Sequence, residues 1–422
     1  MTTDFSKVEA ELTSQIKAAK LSTSSLISLS EIQRNSALEL IERELLESSN
    51  YILEANQEDL NSPDNADLTT ALKDRLRLDH KRLIGMAQGI RKVINIPDPI
   101  SRVIEGWRHP KGMKISKVSV PIGVIGIIYE ARPNVTTDAI ALAIKSANAC
   151  VLRGSRQTWH TNNAIMDVVY RALKQSAFPV EAVQYLKDKS RDSAKLMLRA
   201  KDEINLVIPR GGEALKKFVT DNSLIPVLGA GGGNCHVYID AEADIDKAIE
   251  IILNAKTQRP SVCNACESIL IHADIKDEVL PFLVQELLKS GVEIVAEQDI
   301  HVLYPFTTLA TEADWGLEYL DIKVSIKTVE SLDAAIQHIN FYSNNHSEAI
   351  ITENINAAEK FTRMVNSACV YVNASTRFTD GEEFGFGAEM GISTSIGYVR
   401  GPIGAKELCT YKYIIEGNGQ TR

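Results

Sequence analysis

The residue of this sequence best suited to covalent chemistry is Cys263. It lies in the segment QRPSVCNACESILIH, in a loop-like stretch that follows a predicted helix and precedes an apolar strand. A cysteine in an exposed loop at a strand end is placed to react as a thiolate, whereas a structural cysteine lies within an apolar run. We therefore interpret Cys263 as a candidate nucleophile, and spacing alone leaves a structural thiol as the alternative.

The other cysteines show no metal or redox pattern. Cys263 and Cys266 form a C-x-x-C pair, but a zinc site would need a second pair of ligands and a thioredoxin-like motif would open a helix. We expect no metal site. The wide spacing of all six cysteines fits a reducing compartment. We interpret the remaining four as small buried core residues: Cys150, Cys235, Cys369 and Cys409.

A second candidate for chemistry is Asn134, which follows the predicted strand 124–129 in the sequence Arg-Pro-Asn. Its amide N–H could donate to a developing oxyanion, and the backbone N–H of a nucleophile commonly supplies the other donor. The more common role for an asparagine that opens a helix is a turn or a helix cap. The sequence around Asn134 leaves both interpretations open.

Two glycine-rich stretches could let the backbone approach a phosphate. Gly211 and Gly212 lie between a predicted strand and a predicted helix, and residues 229–233 follow shortly after. Loops of this kind bind a pyrophosphate at a helix N-terminus. Neither stretch has the spacing G-x-G-x-x-G, so by themselves they are a weak signal.

Alternating strand and helix patterns predict the elements that position these residues. The first hundred residues read as helical, with a capping box at Ser30 to Gln33. Predicted strands then follow at 124–129, 149–152, 236–239, 268–272, 323–326 and 349–352, and predicted helices at 135–148, 163–176, 244–256, 275–290, 331–342 and 356–366. This alternation predicts an α/β protein with two open, largely parallel sheets.

Length and composition limit the class of protein. With 422 residues, of which 44% are apolar, the chain should form at least two domains with substantial cores. Its net charge is −9 and its basic residues are scattered, which argues against a nucleic-acid surface. Because we find neither a secretory leader nor an apolar run of about eighteen residues, we expect a cytoplasmic protein without a membrane partner.

Several phrases of the sequence resemble the γ-glutamyl phosphate reductases, a family of the aldehyde dehydrogenase superfamily. These phrases are GVIGIIYEARPNVTTDA, IPRGG, QRPSVCNACE, VNASTRFTDGEEFGFGAEMGIST and RGPIGAKEL. The resemblance runs from about residue 8 to the C-terminus. It implies a cofactor-binding domain (1–106 and 121–234), a catalytic domain with the cysteine (235–394), and a small oligomerisation β flap (107–120 and 395–422) that makes a homo-oligomer.

The resemblance also implies an activity. The family reduces γ-glutamyl phosphate to glutamate 5-semialdehyde and phosphate with NADPH, through a cysteine thioester, as a step of proline biosynthesis. Cys263 would be the nucleophile, and Asn134 with the Cys263 backbone N–H would form the oxyanion hole. A transient contact with glutamate 5-kinase is a further expectation, and the sequence leaves open whether the acyl phosphate passes directly from that kinase.

Binding residues follow in the same way. The cofactor-binding candidates are Arg153, Ser155, Arg156, Gly211, Gly212 and Glu318, and the candidates around the substrate's tail are Ser375, Thr376 and Arg377. Arg156 stands where NAD-preferring members often carry a glutamate, and so favours NADP(H). Arg377 could pair with the substrate's α-carboxylate, and the alternative is an arginine that braces its loop.

Some features depart from the relatives. Ser155 stands where many members of the family have a second glycine, and Cys266 where many have a residue other than cysteine. Hydrolytic aldehyde dehydrogenases activate water with a glutamate in Glu-Leu-Gly-Gly, whereas this chain reads LGAGGGN.

Three alternatives for the function of this chain stay open: a coenzyme A-acylating aldehyde dehydrogenase, a cysteine hydrolase and a non-enzymatic interaction protein.

Overall fold

The computed structural model describes residues 2–229, 231–397 and 399–422. The chain divides into two compact units, each built around its own parallel sheet. The first unit consists of Met1–Gly229, Gly385–Gly391 and Ile403–Arg422, and the second of Ala230–Phe384 and Ile392–Pro402. Among the described residues, no helix is both long and apolar enough to cross a bilayer.

The first unit begins with five helices and continues as an α/β layer. Its elements up to Gly229 are α1 (Thr2–Leu26), α2 (Glu31–Glu47), α3 (Ser49–Asn61), α4 (Thr70–Leu76), α5 (His80–Asn95), β1 (Val103–Arg108), β2 (Lys114–Pro121), β3 (Val124–Tyr129), α6 (Asn134–Lys145), β4 (Ala149–Arg153), α7 (Trp159–Leu173), β5 (Val183–Tyr185), α8 (Arg191–Arg199), β6 (Leu206–Arg210) and α9 (Glu213–Asn222).

Local sequence explains how several of these elements start. The predicted capping box is confirmed: Gln33 N donates to Ser30 Oγ at 3.3 Å, and Ser30 N donates to Gln33 Oε1 at 2.9 Å. These bonds satisfy two backbone donors that have no partner inside the helix. The strand predicted at 124–129 is β3, and all its side chains are buried because helices cover both faces of a parallel sheet.

The four-stranded sheet of the first unit has the order β5-β4-β3-β6, and every pair in it is parallel. From β3 the chain moves outward through β4 and β5, and then returns to the other side of β3 to form β6. The strand order therefore reverses at β3. In open α/β sheets, ligands bind beyond the carboxyl ends of the strands at such a reversal.

The second unit contains the larger sheet. Its elements are β7 (Cys235–Ile239), α10 (Ile245–Thr257), β8 (Cys266–His272), α11 (Lys276–Lys289), β9 (Glu293–Ala296), α12 (Gln298–Leu303), β10 (Thr308–Leu309), β11 (Lys323–Val329), α13 (Leu332–Tyr342), β12 (Ser347–Ile351), α14 (Ile355–Met364), β13 (Cys369–Val372), β14 (Ile392–Ser393) and β15 (Gly401–Pro402).

Seven of these strands form a parallel sheet in the order β10-β9-β11-β8-β7-β12-β13. Alternate side chains of its strands enter separate apolar clusters, so that Ile269 belongs to one cluster and Leu270 to the other. The two-stranded pair β14-β15 is antiparallel. The prediction of two largely parallel sheets is confirmed.

A third sheet forms from segments that are far apart in the sequence. The last strand, β16 (Cys409–Glu416), pairs along its whole length with β2, and β1 pairs with the other edge of β2. β1 starts at Val103, ahead of the predicted flap segment, because Val103 already pairs with Val118. This sheet falls within the first unit. The domain boundaries inferred from the resemblance, and a role of this sheet in assembly, stay predictions.

Candidate active site

Cys263 lies in the loop between the end of α10 at Thr257 and the start of β8 at Cys266. This is the placement that the sequence pattern predicted. The loop turns just beyond the cysteine, where Ala265 N donates to Val262 O at 3.1 Å. Cys263 is partly buried. A thiol in this setting is held by the end of a rigid strand, which suits a residue that must meet a substrate in a fixed geometry.

The carbonyl of Cys263 is packed tightly against the glycine-rich stretch. A β-carbon added to Gly233 would stand 1.5 Å from the Cys263 carbonyl oxygen, so only glycine fits there. The same oxygen accepts a hydrogen bond from Cys235 Sγ at 3.2 Å. Gly233 therefore permits a close backbone approach that the sequence alone did not reveal. Its place in a run of glycines was the only available signal.

Glu318 lies on the other side of Gly233. Its Oε1 accepts a hydrogen bond from Gly233 N at 2.9 Å, and its side chain is partly buried. The glutamate expected to bind the nicotinamide ribose is thus connected, through a single glycine, to the loop that carries Cys263. The ribose role itself stays a prediction.

The loop of Cys263 is also hydrogen-bonded to the loop predicted to surround the substrate's tail. Thr376 Oγ1 donates to Asn264 O at 2.7 Å, and Asn264 Nδ2 donates to Thr379 O at 2.9 Å. Arg377 donates to the side-chain oxygen of Asn264 as well. Asn264 therefore connects the nucleophile's loop to the segment that begins at Ser375. Sequence reasoning did not single out Asn264.

The side chains of that segment are already engaged within it. Ser375 and Thr376 are buried, and Ser375 Oγ accepts from the backbone N–H of Arg377 at 3.3 Å. Arg377 Nε donates to Gln258 Oε1 at 2.7 Å. These contacts are those of a loop-bracing arginine, and the substrate-binding role stays a prediction. A cavity of about 310 Å³ adjoins it, lined by Asn254, Gln258, Arg377, Phe378, Asp380, Glu382 and Glu383.

All six cysteines are present as thiols. Burial raises the pKa of Cys150 and of Cys266 to about 12, and that of Cys235 well above its ordinary value. These three thiols stay protonated near neutral pH and are poor nucleophiles. The expectation that Cys409 is a buried core residue is wrong, because it starts the exposed strand β16 and is partly accessible.

In the first unit, the other site candidates follow the carboxyl ends of adjacent parallel strands. β3 ends at Tyr129 before Asn134, β4 ends at Arg153, and β6 ends at Arg210 before the glycine pair. Because the three strands are parallel neighbours, these segments emerge at one edge of the sheet. That edge includes the point where the strand order reverses.

Asn134 is the first residue of α6, and its side chain is exposed. It does not cap the helix. Its Nδ2 donates instead to Oδ2 of Asp138, one turn further along, at 3.0 Å. The interpretation of Asn134 as a side-chain cap is therefore wrong, and the amide group remains at the surface of the first unit.

The residues after β4 divide into braced and exposed side chains. Arg153 Nη2 donates to Ser190 O at 2.8 Å, and Nη1 donates to Gly154 O at 3.0 Å. Burial lowers the pKa of Arg153. Ser155 Oγ accepts from Gln157 N at 3.2 Å. Arg156, by contrast, is exposed in the turn that follows. It is the side chain of this stretch best placed to meet a charged ligand.

The glycine pair before α9 is packed against a carboxylate. A β-carbon on Gly211 would stand 2.6 Å from the carboxyl carbon of Glu130, so a larger residue here would have to displace the Glu130 side chain. Gly212 takes the N-cap position of α9 in extended conformation, without a side-chain cap. The dipole of α9 favours an anion at this N-terminus. Its phosphate role stays a prediction.

The fold and the cysteine loop define a class of protein. The aldehyde dehydrogenase family model matches residues 9–302. The chain belongs to the aldehyde dehydrogenase family. The expected aldehyde dehydrogenase-like α/β fold is thereby confirmed. A crystal structure of an acetylating aldehyde dehydrogenase from Geobacillus thermoglucosidasius shares this fold at 16% identity, with a TM-score of 0.68 over 99% of this chain and 98% of that one.

More similar relatives carry one name, γ-glutamyl phosphate reductase. The relative from Petrotoga mobilis is 47% identical over 406 residues, which cover 96% of this chain and 97% of that one. The relative from Nautilia profundicola is 49% identical over 393 residues, which cover 93% of this chain and 95% of that one. The crystal structure of the Thermotoga maritima reductase matches at 44% identity with a TM-score of 0.95, covering 98% of this chain and 100% of that chain.

Proposed function

We propose that this chain reduces γ-glutamyl phosphate to glutamate 5-semialdehyde and phosphate, as a step of proline biosynthesis. The similarity to reductases of that name along almost the whole chain carries the proposal. The position of Cys263 supports it, because this thiol is partly accessible and lies in a loop that leads directly into a buried strand, as suits a nucleophile.

In the proposed mechanism, the thiolate of Cys263 attacks the acyl carbon of the substrate. The sulfur–carbon bond forms, the bond from that carbon to the phosphate oxygen breaks, and phosphate leaves with the electron pair. NADPH supplies the hydride when bound. Hydride addition to the thioester carbon gives a thiohemiacetal, which collapses to the aldehyde and returns the thiolate. This route avoids hydride attack on a carboxylate.

We assign the oxyanion donors to the side-chain amide of Asn134 and the backbone N–H of Cys263. Negative charge develops on the carbonyl oxygen in both steps, so the same donors act twice. The exposed Nδ2 group of Asn134 at the carboxyl edge of the four-stranded sheet supports its part of the assignment.

The residues at this edge fit a nicotinamide dinucleotide. An exposed cation, Arg156, follows β4, and the glycine pair Gly211 and Gly212 precedes a ten-residue helix whose first N–H groups lack a side-chain cap. We propose that Arg156 binds the 2′-phosphate of NADPH and that Glu318 binds the nicotinamide ribose. Arg153 and Ser155 shape the turn that carries Arg156.

For the substrate's tail we propose Arg377, with the segment of Ser375 and Thr376 as its support. Arg377 lines the polar cavity described above, and that cavity also contains carboxylates such as Asp380 and Glu382. A zwitterionic amino-acid end needs one cation and one or more anions. The lining of the cavity supplies both.

We also propose that the chain is a homo-oligomer assembled through the three-stranded sheet. Strands β1 and β16 are exposed along almost their whole length. Their exposed apolar side chains are Val103, Ile104, Trp107, Tyr411, Tyr413, Ile414 and Ile415. A patch of this kind is typical of a protein–protein interface. The contact with glutamate 5-kinase stays a prediction.

The decisive experiment follows the reaction in reverse. NADP⁺ reduction with glutamate 5-semialdehyde should require inorganic phosphate, because phosphate must accept the acyl group from Cys263. Coenzyme A should not replace it. Turnover with coenzyme A in place of phosphate would identify an acylating aldehyde dehydrogenase instead. Turnover with neither would contradict the proposal.

A further inference from the structure

Asn134 has one side-chain partner on its own helix, and no role has been assigned to that partner. Asn134 Nδ2 lies 3.0 Å from Oδ2 of Asp138, and the two residues are four positions apart on α6, so they share one face. The side chain of Asn134 is exposed, whereas that of Asp138 is partly buried.

The orientation of the carboxamide decides whether Asn134 can stabilise an oxyanion. Its two ends have nearly the same shape, but the nitrogen end donates hydrogen bonds and the oxygen end only accepts them. A half-turn about the last side-chain bond would point the oxygen at the developing negative charge. An ionised carboxylate accepts only, so Asp138 is compatible with only one of the two orientations.

The number of N–H groups on the Asn134 amide allows it to bind Asp138 and an oxyanion at the same time. The amide nitrogen carries two N–H groups. One donates to Asp138, which leaves the second to donate elsewhere. The backbone carbonyl of Asn134 also accepts a bond from Thr137 Oγ1 at 2.9 Å. That bond does not involve the carboxamide, so only the bond to Asp138 bears on the orientation of the side chain.

Two other elements of the first unit each bring one group near Asp138. From α5 it faces Gly89, whose added β-carbon would lie 3.6 Å from Asp138 Oδ1. From β6 it faces the charge of Arg210, which lies 3.9 Å from Glu389. Burial raises the pKa of Asp138 to about 6, against the opposing effects of Asn134 and Arg210. The carboxyl group is therefore mostly ionised at neutral pH.

We propose that Asp138 is a positioning residue, whose carboxylate turns the Asn134 carboxamide so that an N–H of Nδ2 faces the oxyanion. The inference rests on the proposed function of Asn134. It assigns Asp138 no contact with substrate or cofactor.

The test is a double-mutant cycle on the full-length chain with Asp138→Ala, Asn134→Ala and the double variant. Loss of an oxyanion donor costs about two to three orders of magnitude in kcat, so a misdirected amide should cost about tenfold or more. Asp138→Ala should lower kcat with little change in KM, and should cause no further loss in the Asn134→Ala background. Asp138→Asn, which keeps an acceptor, should recover part of the activity.

Thr137→Val is the matched control. It removes a neighbouring hydrogen bond to the backbone of Asn134 rather than to its amide, and should change kcat by less than about threefold. An equal loss on Asp138→Ala in both backgrounds, or an equal loss in the control, would overturn the inference and leave the proposed function intact. Full activity of Asn134→Ala would instead remove the oxyanion assignment itself. If Asp138→Ala fails to fold, Asp138→Leu takes its place in the cycle, because leucine keeps a branched side chain and accepts no hydrogen bond.

Discussion

Gly233 and Cys263 approach so closely that a β-carbon on the glycine would stand 1.5 Å from the carbonyl oxygen of the cysteine. The conformation of the nucleophile's loop therefore depends on a residue thirty positions earlier in the chain. The same glycine also donates its N–H to Glu318. Gly233 therefore contacts both the backbone of Cys263 and the carboxylate of Glu318.

The first prediction concerns this contact. Gly233→Ala must displace the Cys263 backbone, and a displacement of about 1 Å can cost roughly a hundredfold in rate. We expect a comparable loss of activity and a changed rate of Cys263 alkylation by iodoacetamide, measured by mass spectrometry. Gly229→Ala is the control, since no heavy atom lies within 4 Å of its added β-carbon. Equal activities of the two variants would refute the steric argument.

The second prediction concerns the thiols. Cys263→Ala should fold and be inactive, and Cys263→Ser should fail as well because a hydroxyl is hardly ionised at neutral pH. Cys266→Ala should keep its activity, since burial raises the pKa of that thiol to about 12 and removes it from nucleophilic chemistry. Steady-state assays and circular dichroism of all three variants decide the matter. Substantial turnover by Cys263→Ala would end the thioester mechanism.

The third prediction separates the two roles of Arg377. If Arg377 pairs with the substrate's α-carboxylate, Arg377→Lys should raise KM for glutamate 5-semialdehyde by about tenfold, because a lysine cannot form the bidentate contact. Gln258→Leu removes the brace at 2.7 Å and one polar group of the same cavity, but no charge, so it should raise KM much less than Arg377→Lys does. If both variants lower the melting temperature equally and neither changes KM, Arg377 acts only as a brace.

The fourth prediction concerns cofactor preference. A charge-assisted contact to phosphate is worth about 1.5–3 kcal/mol, so Arg156→Glu should reduce the preference for NADPH at least about tenfold. Use of NADH should change much less. Lys201→Glu, the same charge reversal at another exposed position of the first unit, is the control. A similar loss with both cofactors would show that Arg156 does not contact the 2′-phosphate.

The fifth prediction is a pH dependence of stability. The pKa of Asp138 is about 6 in the folded chain, against an ordinary value of 3.8. As pH rises, the carboxyl group therefore loses its proton at a lower pH in the unfolded chain than in the folded chain. Between these values the folded state binds more protons, and its stability relative to Asp138→Asn should fall with rising pH. Urea unfolding of both proteins from pH 4 to pH 8 measures the difference. A constant difference would show that the carboxyl group is not perturbed.

Much of this fold follows from local sequence. The apolar, β-branched run of β3 predicted its strand at 124–129 because such residues suit a buried parallel strand. The box at Ser30 and Gln33 predicted the start of α2, since both bonds lie within one turn. The same kind of reasoning put Cys263 in a loop before β8. Helix ends were less accurate: α7 begins at Trp159 rather than at residue 163.

Contacts between distant residues were decided only by the tertiary structure. In the sequence, Gly233, Asn264 and Arg377 are far apart. In the folded chain, Arg377 contacts Asn264 and also Gln258, which lies 119 positions earlier. Strand β16 has no buried face to mark it, and its pairing with β2 emerges only when the chain returns to the first unit. Local patterns record which face of an element is apolar. They do not record which backbone will lie against it, and that is set by the packing of the whole chain.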